Sequence, residues 1–312
     1  MVSAYGDEER RIYDNIKIPV PAEWIETVRT SNLDAYTEET NDIMRDFEKF
    51  VSPLTPFINS TDLPDAYFIN PIFADIDEEP GEEMICLLGS YFDYPVLAVF
   101  KRTNTQWYLI YMERFYVHNE KPELYIANNF SRNKTFYIRV IHGRGSELYY
   151  DGYNFYKISG GKVHRSLELL NRAFMSGWGV PLNQNTKTSF YFNSIGSDSL
   201  WVSYDYHFFP GPVFKEDAPW DSHPELSFIK GVKGIDYVWN DASKKYIPNY
   251  YGAKGELNDE KIASFTAFGD DELFVKAFQY EIEQALEKGT DEDKAVLGWY
   301  LEQVKNETAG EP

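Results

Sequence analysis

The side chains best suited by type and spacing to do chemistry lie in "DIDEEPGEE", residues 75–83. Asp75, Asp77 and Glu79 stand at alternate positions, Gly81 follows them, and Glu83 comes last, just before the apolar run 84–88. Alternating oxygens, a glycine for the turn and a late carboxylate are what a loop needs to wrap a hard cation such as Ca²⁺. Asp75, Asp77, Glu79 and Glu83 are therefore candidate metal ligands. The same residues also suit a plain solvated turn, and both readings stand at this stage.

Two further stretches could hold a ligand. In "MSGWGVPLNQN" Trp178 lies between two glycines, with Asn183, Gln184 and Asn185 close behind, and "DAPWDSHPE" sets Trp220 beside Asp221. An indole with amides nearby can stack on a sugar ring and hydrogen-bond its hydroxyls. Trp178, Asn183 and Trp220 are thus candidate ligand-binding residues; the other reading is that these tryptophans plug the ends of a β core.

No catalytic residue is assigned. Asp205 and His207 are two apart, so on a strand they share a face and could form a general-base pair. No G-x-S-x-G accompanies them, and His207 reads as structural. The other four histidines lack zinc-ligand spacing, and neither G-x-G-x-x-G before a helix nor a P-loop is found. With 50 Asp and Glu, paired carboxylates for glycoside hydrolysis are easy to imagine, but sequence does not give their separation. The single cysteine, Cys86 in "EMICLLG", reads as a buried hydrophobe that forms no disulfide within the chain.

These residues must be positioned by a fold, and the composition says which kind. The 312 residues are 17% aromatic, which favours pleated, half-buried surfaces. The net charge of −20 repels phosphate backbones and anionic lipid, so nucleic acid and membrane surfaces are poor partners. The charge concentrates at the ends: residues 256–312 carry 15 acidic and 5 basic side chains, and residues 1–64 carry 13 and 6. No apolar run is long enough for a transmembrane helix. "MVSAYGDEERRIYDN" has no apolar core of a signal peptide, which fits a native start or a chain whose signal has been removed.

The spacing predicts helices at both ends. Pro21 opens one, and Thr37 caps a second that carries Ile43, Met44, Phe47, Phe50 and Val51 on one stripe. Near the C-terminus, 270–289 and 290–307 read as an antiparallel pair, with Lys288 and Gly289 closing the first and a Thr290–Asp293 capping box opening the second. The middle reads as short aromatic strands, such as "PVLAVFKR", "TQWYLIYMERFYV" and "DSLWVSYDYHFF". Gly160-Gly161 in "ISGGKV" marks a hairpin. The expected fold class is α+β: an antiparallel β domain over 65–255, propeller-like or an irregular sandwich, between an N-terminal helical segment, 1–64, and a C-terminal helical hairpin, 256–312, packed on the β domain.

The loop 73–89 resembles the D-x-D-x-D-G-x-x-E-hydrophobic loop of FG-GAP/VCBS-type β-propeller repeats, with Pro80 where that pattern has glycine and Glu79 where it has Asp. "RVIHGRGSELYYDGYNFYKISGGKV" and "GIDYVWNDASKKYIPN" are similar to strand pairs of secreted or lipid-anchored Gram-positive proteins built from such repeats. The resemblance implies calcium as cofactor, held by the acidic loop, and a protein or carbohydrate partner at the cell surface. The expected function is a non-catalytic extracellular or cell-surface binding or structural protein. Two alternatives are a carbohydrate-active hydrolase using Asp and Glu, and an intracellular protein–protein interaction module with an acidic face for a basic partner.

Overall fold

The N-terminal stretch is not only helical. In a computed structural model, which describes residues 11–31, 33, 37–52, 67–90, 95–117, 121–127, 134–145, 148–175, 182–193, 198–210, 229–250, 257–266 and 270–309, it begins with two three-residue strands. These are β1 (Arg11–Tyr13) and β2 (Ile18–Val20), and both run antiparallel to β6 (Gln106–Arg114). Together with β3 (Tyr67–Ala74), β4 (Glu83–Ser90) and β5 (Val96–Thr103) they form one sheet, in the order β1-β6-β5-β4-β3 with β2 also on β6. The second sheet is eight-stranded and follows chain order: β7 (Glu123–Ile126), β8 (Thr135–Gly145), β9 (Leu148–Ser159), β10 (Lys162–Met175), β11 (Leu182–Phe192), β12 (Ser199–Pro210), β13 (Lys230–Asn240) and β14 (Lys245–Asn249). The architecture is thus α+β, dominated by antiparallel sheet with helices towards both termini.

The chain divides into two compact units that interleave in sequence. One comprises Met1–His142, Asn154–Leu167 and Asp241–Lys245; the other comprises Gly143–Tyr153, Glu168–Asn240 and Tyr246–Pro312. This division does not follow the boundaries at 64 and 255 suggested by charge and composition, because β8, β9 and β10 each contribute to both units.

In the first unit, α1 (Ala22–Thr30) and α2 (Glu38–Val51) cover one face of the six-stranded sheet. Thr37 caps α2 as the sequence predicts, accepting from the Thr40 amide at 3.2 Å. Ile43, Phe47, Met84, Cys86, Leu88, Ala98 and Phe100 share this core. The alternate residues Ile85, Leu87, Leu97 and Val99 form a second core with Phe136, Ile138, Tyr156, Ile158 and Val163 of the other sheet. Strand β4 is therefore buried on both faces, which is why it reads as a continuous apolar run rather than an alternating one. Cys86 is fully buried and burial pushes its thiol pKa up, so it is an inert hydrophobe. The β9–β10 turn carries Gly160 and Gly161 at φ +60° and +71°, the two left-handed positions that a type I′ hairpin requires.

In the second unit, the aromatic side chains of β12 meet the C-terminal helices. Tyr204 stacks on Phe265 of α3 (Asp259–Thr266) at 4.7 Å, and Phe208 lies 4.8 Å from Phe274 of α4 (Asp271–Ala277). The expected first helix of the C-terminal pair is divided at Phe278, where φ and ψ are −109° and 21°, into α4 and α5 (Gln279–Lys288). The Phe278 ring is fully buried among Tyr206, Phe208, Phe265 and Phe274. The last helix, α6 (Asp291–Ala309), opens with the reciprocal Thr290–Asp293 box expected from the sequence.

Candidate ligand site at the acidic loop

The acidic loop joins β3 to β4, and the register of the sheet decides what it meets. Glu83 sits directly opposite Lys101 of β5. Both side chains lie on the sheet face away from α1 and α2, and both are buried. The Lys101 ammonium donates to Asp77 Oδ2, and to Glu79 Oε2 at 2.7 Å, and lies 3.9 Å from Glu83 Oε1. Asp77 Oδ1 also accepts from the Glu79 amide at 2.8 Å, which holds the turn. Burial pulls the Lys101 pKa down, but its hydrogen bonds to Asp77 and Glu79 and the charges of those carboxylates outweigh it, and the net direction is up.

The sequence-derived ligand set is thus brought together only in part. Asp75, Asp77 and Glu83 offer oxygens within 4.8 Å of one another, whereas the exposed Glu79 is not among them and accepts from Lys101. The amine stands among the same carboxylates that a divalent ion would use. The spacing of Asp75, Asp77 and Glu83 could hold a metal ion, but such an ion and this ammonium would repel each other across a distance where charges interact strongly, so the ion would have to displace the Lys101 amine. The sequence offered an ion site or a solvated turn; the geometry is an internal ion pair.

Glu83 carries the strongest electrostatic conflict. Its Oε2 accepts from the Ile76 amide at 2.9 Å, while Oε1 is buried without a hydrogen bond. Burial, with Asp77 and Asp75 nearby, pushes its pKa up to about 7, against the opposing Ile76 amide and Lys101. The folded carboxyl then holds its proton more tightly than the unfolded one, whose pKa is about 4.3. Its contribution to stability is fully present below the unfolded value and is lost as pH rises through 7. Glu83→Gln keeps the acceptor for Ile76 and removes the titration. The stability of Glu83→Gln relative to wild type should therefore rise by roughly 3 kcal/mol between pH 4.5 and 8, given 1.36 kcal/mol per pKa unit. Urea melts at the two pH values check this; a constant difference would show that Glu83 is charged throughout.

The outer side of the ion pair opens into a cleft of about 450 Å³. Its walls are the bend between β1 and β2 (Asp14, Asn15, Ile16, Lys17), the loop carboxylate Glu79, the β5 and β6 residues Lys101, Thr103, Tyr108 and Ile110, and the glycine turn with Lys162. Each amine in it is placed: Lys17 over the Tyr108 ring at 4.7 Å, Lys101 between Asp77 and Glu79, and Lys162 on Asn15 Oδ1 at 2.8 Å. Sequence reasoning missed this cleft because its walls come from four separate stretches. The weak signal was a two-glycine turn followed at once by a lysine.

A second polar network was also missed. Glu113 of β6 is fully buried and accepts from Tyr111 Oη at 2.6 Å and Tyr156 Oη at 2.9 Å, with Arg165 Nη1 at 3.5 Å. Arg165 is in turn held by Asn154 Oδ1 at 2.6 Å. Two hydroxyls and a guanidinium satisfy this acid inside the core, where it braces β6, β9 and β10. Lys157 of β9 is almost completely buried, and burial pushes its pKa down to about 8 against the opposing Glu78 and Asp241.

The other sequence candidates are Trp178, Trp220, Asn183 and the Asp205–His207 pair. Trp178 and Trp220 lie outside the described residues, and Asn183 pairs opposite Phe209 in the second sheet, its side chain also outside the description. Asp205 and His207 occupy the same face of β12, opposite Lys187 and Asn185. Among the described residues no helix is long and apolar enough to cross a membrane. Comparison with known proteins adds no relative to this geometry: no family model, no curated protein and no solved structure matches the chain.

Proposed function

We propose that this chain is a non-catalytic binding protein of the cell surface or extracellular space, and that the cleft over Lys101 takes a small polyhydroxylated ligand of the saccharide class. The observation that supports this is the lining of the cleft. Amines (Lys17, Lys101, Lys162), oxygens (Asp14, Glu79, Thr103) and an amide (Asn15) line it together with one phenol ring and two isoleucines. Sugars offer alternating donors and acceptors around apolar ring faces, and such a mixture matches them. The near balance of charge favours a neutral ligand over a strongly ionic one. The volume falls within the roughly 300–1,000 Å³ usual for small-ligand sites.

Lys101 is proposed to be the resident cation of the acidic loop, taking the place that calcium would have in the loops it resembles. The finer architecture is taken as an irregular sandwich rather than a propeller, since the sheets run in six- and eight-strand orders instead of repeating four-stranded blades.

A glycan array followed by calorimetry on the best binder tests the function. Tyr108→Ala and Lys162→Ala should each weaken binding roughly tenfold, a loss typical of one well-placed contact, with unchanged melts. Binding that survives both changes would put the ligand elsewhere. Release of reducing ends from the bound glycan, lost on Glu79→Gln, would replace this reading with the hydrolase.

A further inference from the structure

The groove between α1 and α2 has no part in the proposed cleft, and its chemistry is different. It encloses about 650 Å³. Its floor is apolar: Trp24 and Ile43, tied by a 3.1 Å hydrogen bond from Trp24 Nε1 to the Ile43 carbonyl, and Phe50, whose ring meets Trp24 edge-on at 5.5 Å. Its rim is acidic. Glu23 stands on α1, and Glu38, Glu39, Asp42 and Asp46 on α2, while among the described residues no lysine or arginine lines the groove. We infer that this groove docks a lysine- or arginine-rich amphipathic helix of a partner protein.

The spacing selects that occupant. Glu38, Asp42 and Asp46 follow each other at i, i+4 and i+8, so they form one row along α2 about 6 Å apart. A helix laid along the groove presents its own i, i+4 and i+8 cations at the same repeat, with the apolar residues beside them turned to the floor. A flexible polycation would meet the row but leave the floor unfilled. The row is also open to a newcomer. Asp42 and Asp46 pair with Arg45 and Lys49, but those side chains are 57% and 73% exposed, three residues along the same helix. Such pairs contribute little and are readily exchanged. Glu39 accepts from Ser31 Oγ, while Glu23 and Glu38 pair with no cation among the described residues. The acids at the start of α2 also favour its helix dipole, but that effect accounts neither for Asp42 and Asp46, further along, nor for Glu23 across the groove.

The test uses the full chain and a synthetic amphipathic peptide of ~18 residues, about five helical turns. It carries Lys at i, i+4 and i+8, with Leu and Phe on the adjoining face. A second peptide of equal composition has the apolar residues scattered. The designed peptide should bind and become helical, with affinity falling as salt is raised. Neutralising the row (Glu38→Gln, Asp42→Asn, Asp46→Asn) should weaken it roughly tenfold or more, as loss of close charge pairs does. Thr27→Arg, an exposed groove residue outside the core, should abolish binding by filling the groove with a cation of the wrong origin. Equal binding of the scattered peptide, indifference to either variant, or no binding by the designed peptide overturns the inference. Melts of the variants matching wild type exclude misfolding as the cause of any loss.

Discussion

Lys101→Met is expected to lower stability by about 3–5 kcal/mol at pH 7, the usual cost of leaving one side of a buried ion pair without its partner. Only 8% of the Lys101 side chain is exposed, and Asp77 and Glu83 beside it are more buried still. The loss should be larger at pH 8 than at pH 5, because at low pH the stranded carboxyls take up protons instead. The same change should free the loop's carboxylates for an ion. With the ammonium gone, Asp75, Asp77 and Glu83 keep their oxygens within 4.8 Å of each other, and calcium can enter. At 100 times its Kd an ion adds about 2.7 kcal/mol, so calcium should restore most of the loss in Lys101→Met and leave the wild type unmoved. Urea unfolding of both proteins in excess calcium and in chelator reads this directly. A wild type stabilised by calcium would mean that Lys101 swings aside and that the loop is an ion site after all.

Phe278→Ala is expected to cost about 3–5 kcal/mol, the range for removing a large buried aromatic side chain. Its ring lies within 5.0–6.2 Å of Phe274, Phe208, Tyr206 and Phe265, so no single neighbour can collapse into the space. Phe278→Leu retains most of the volume and should cost much less, under about 1.5 kcal/mol if the site repacks. The denaturant midpoint should fall without a change of slope, and the near-ultraviolet circular dichroism of the aromatic cluster should weaken. A loss below about 1 kcal/mol would show that the backbone break at Phe278, rather than its ring, decides how α4 and α5 meet β12.

Much of this architecture could be read from the sequence where the signals are local. The Thr37 cap, the stripe on α2, the Thr290–Asp293 box and the Gly160-Gly161 hairpin depend on residues a few positions apart, and all four are present. What escaped depends on distant pairing. β1 and β2 are three residues each, and their partner β6 lies nearly a hundred residues on. Lys101 comes near the end of the strand "PVLAVFKR" and looks like a solvated strand end. Only the Glu83–Lys101 register turns its amine into the loop. The groove was half legible: the acids of α2 were visible, but the apolar floor needs α1 alongside.

The interleaving of the two units bears on how the protein is made. Unit one needs Asn154–Leu167 and Asp241–Lys245 as well as Met1–His142, so it cannot be completed until the chain has been synthesised past residue 245. At roughly 5–20 residues per second, the ~100 residues after His142 take about 5–20 s. During that interval the β4 and β5 face bearing Ile85, Leu87, Leu97 and Val99 first waits for Tyr156, Ile158 and Val163 to cover it. A nascent chain paused near residue 150 would leave that face uncovered, the kind of apolar surface that makes an incomplete chain prone to aggregation. No single cut in the gene would yield either unit whole.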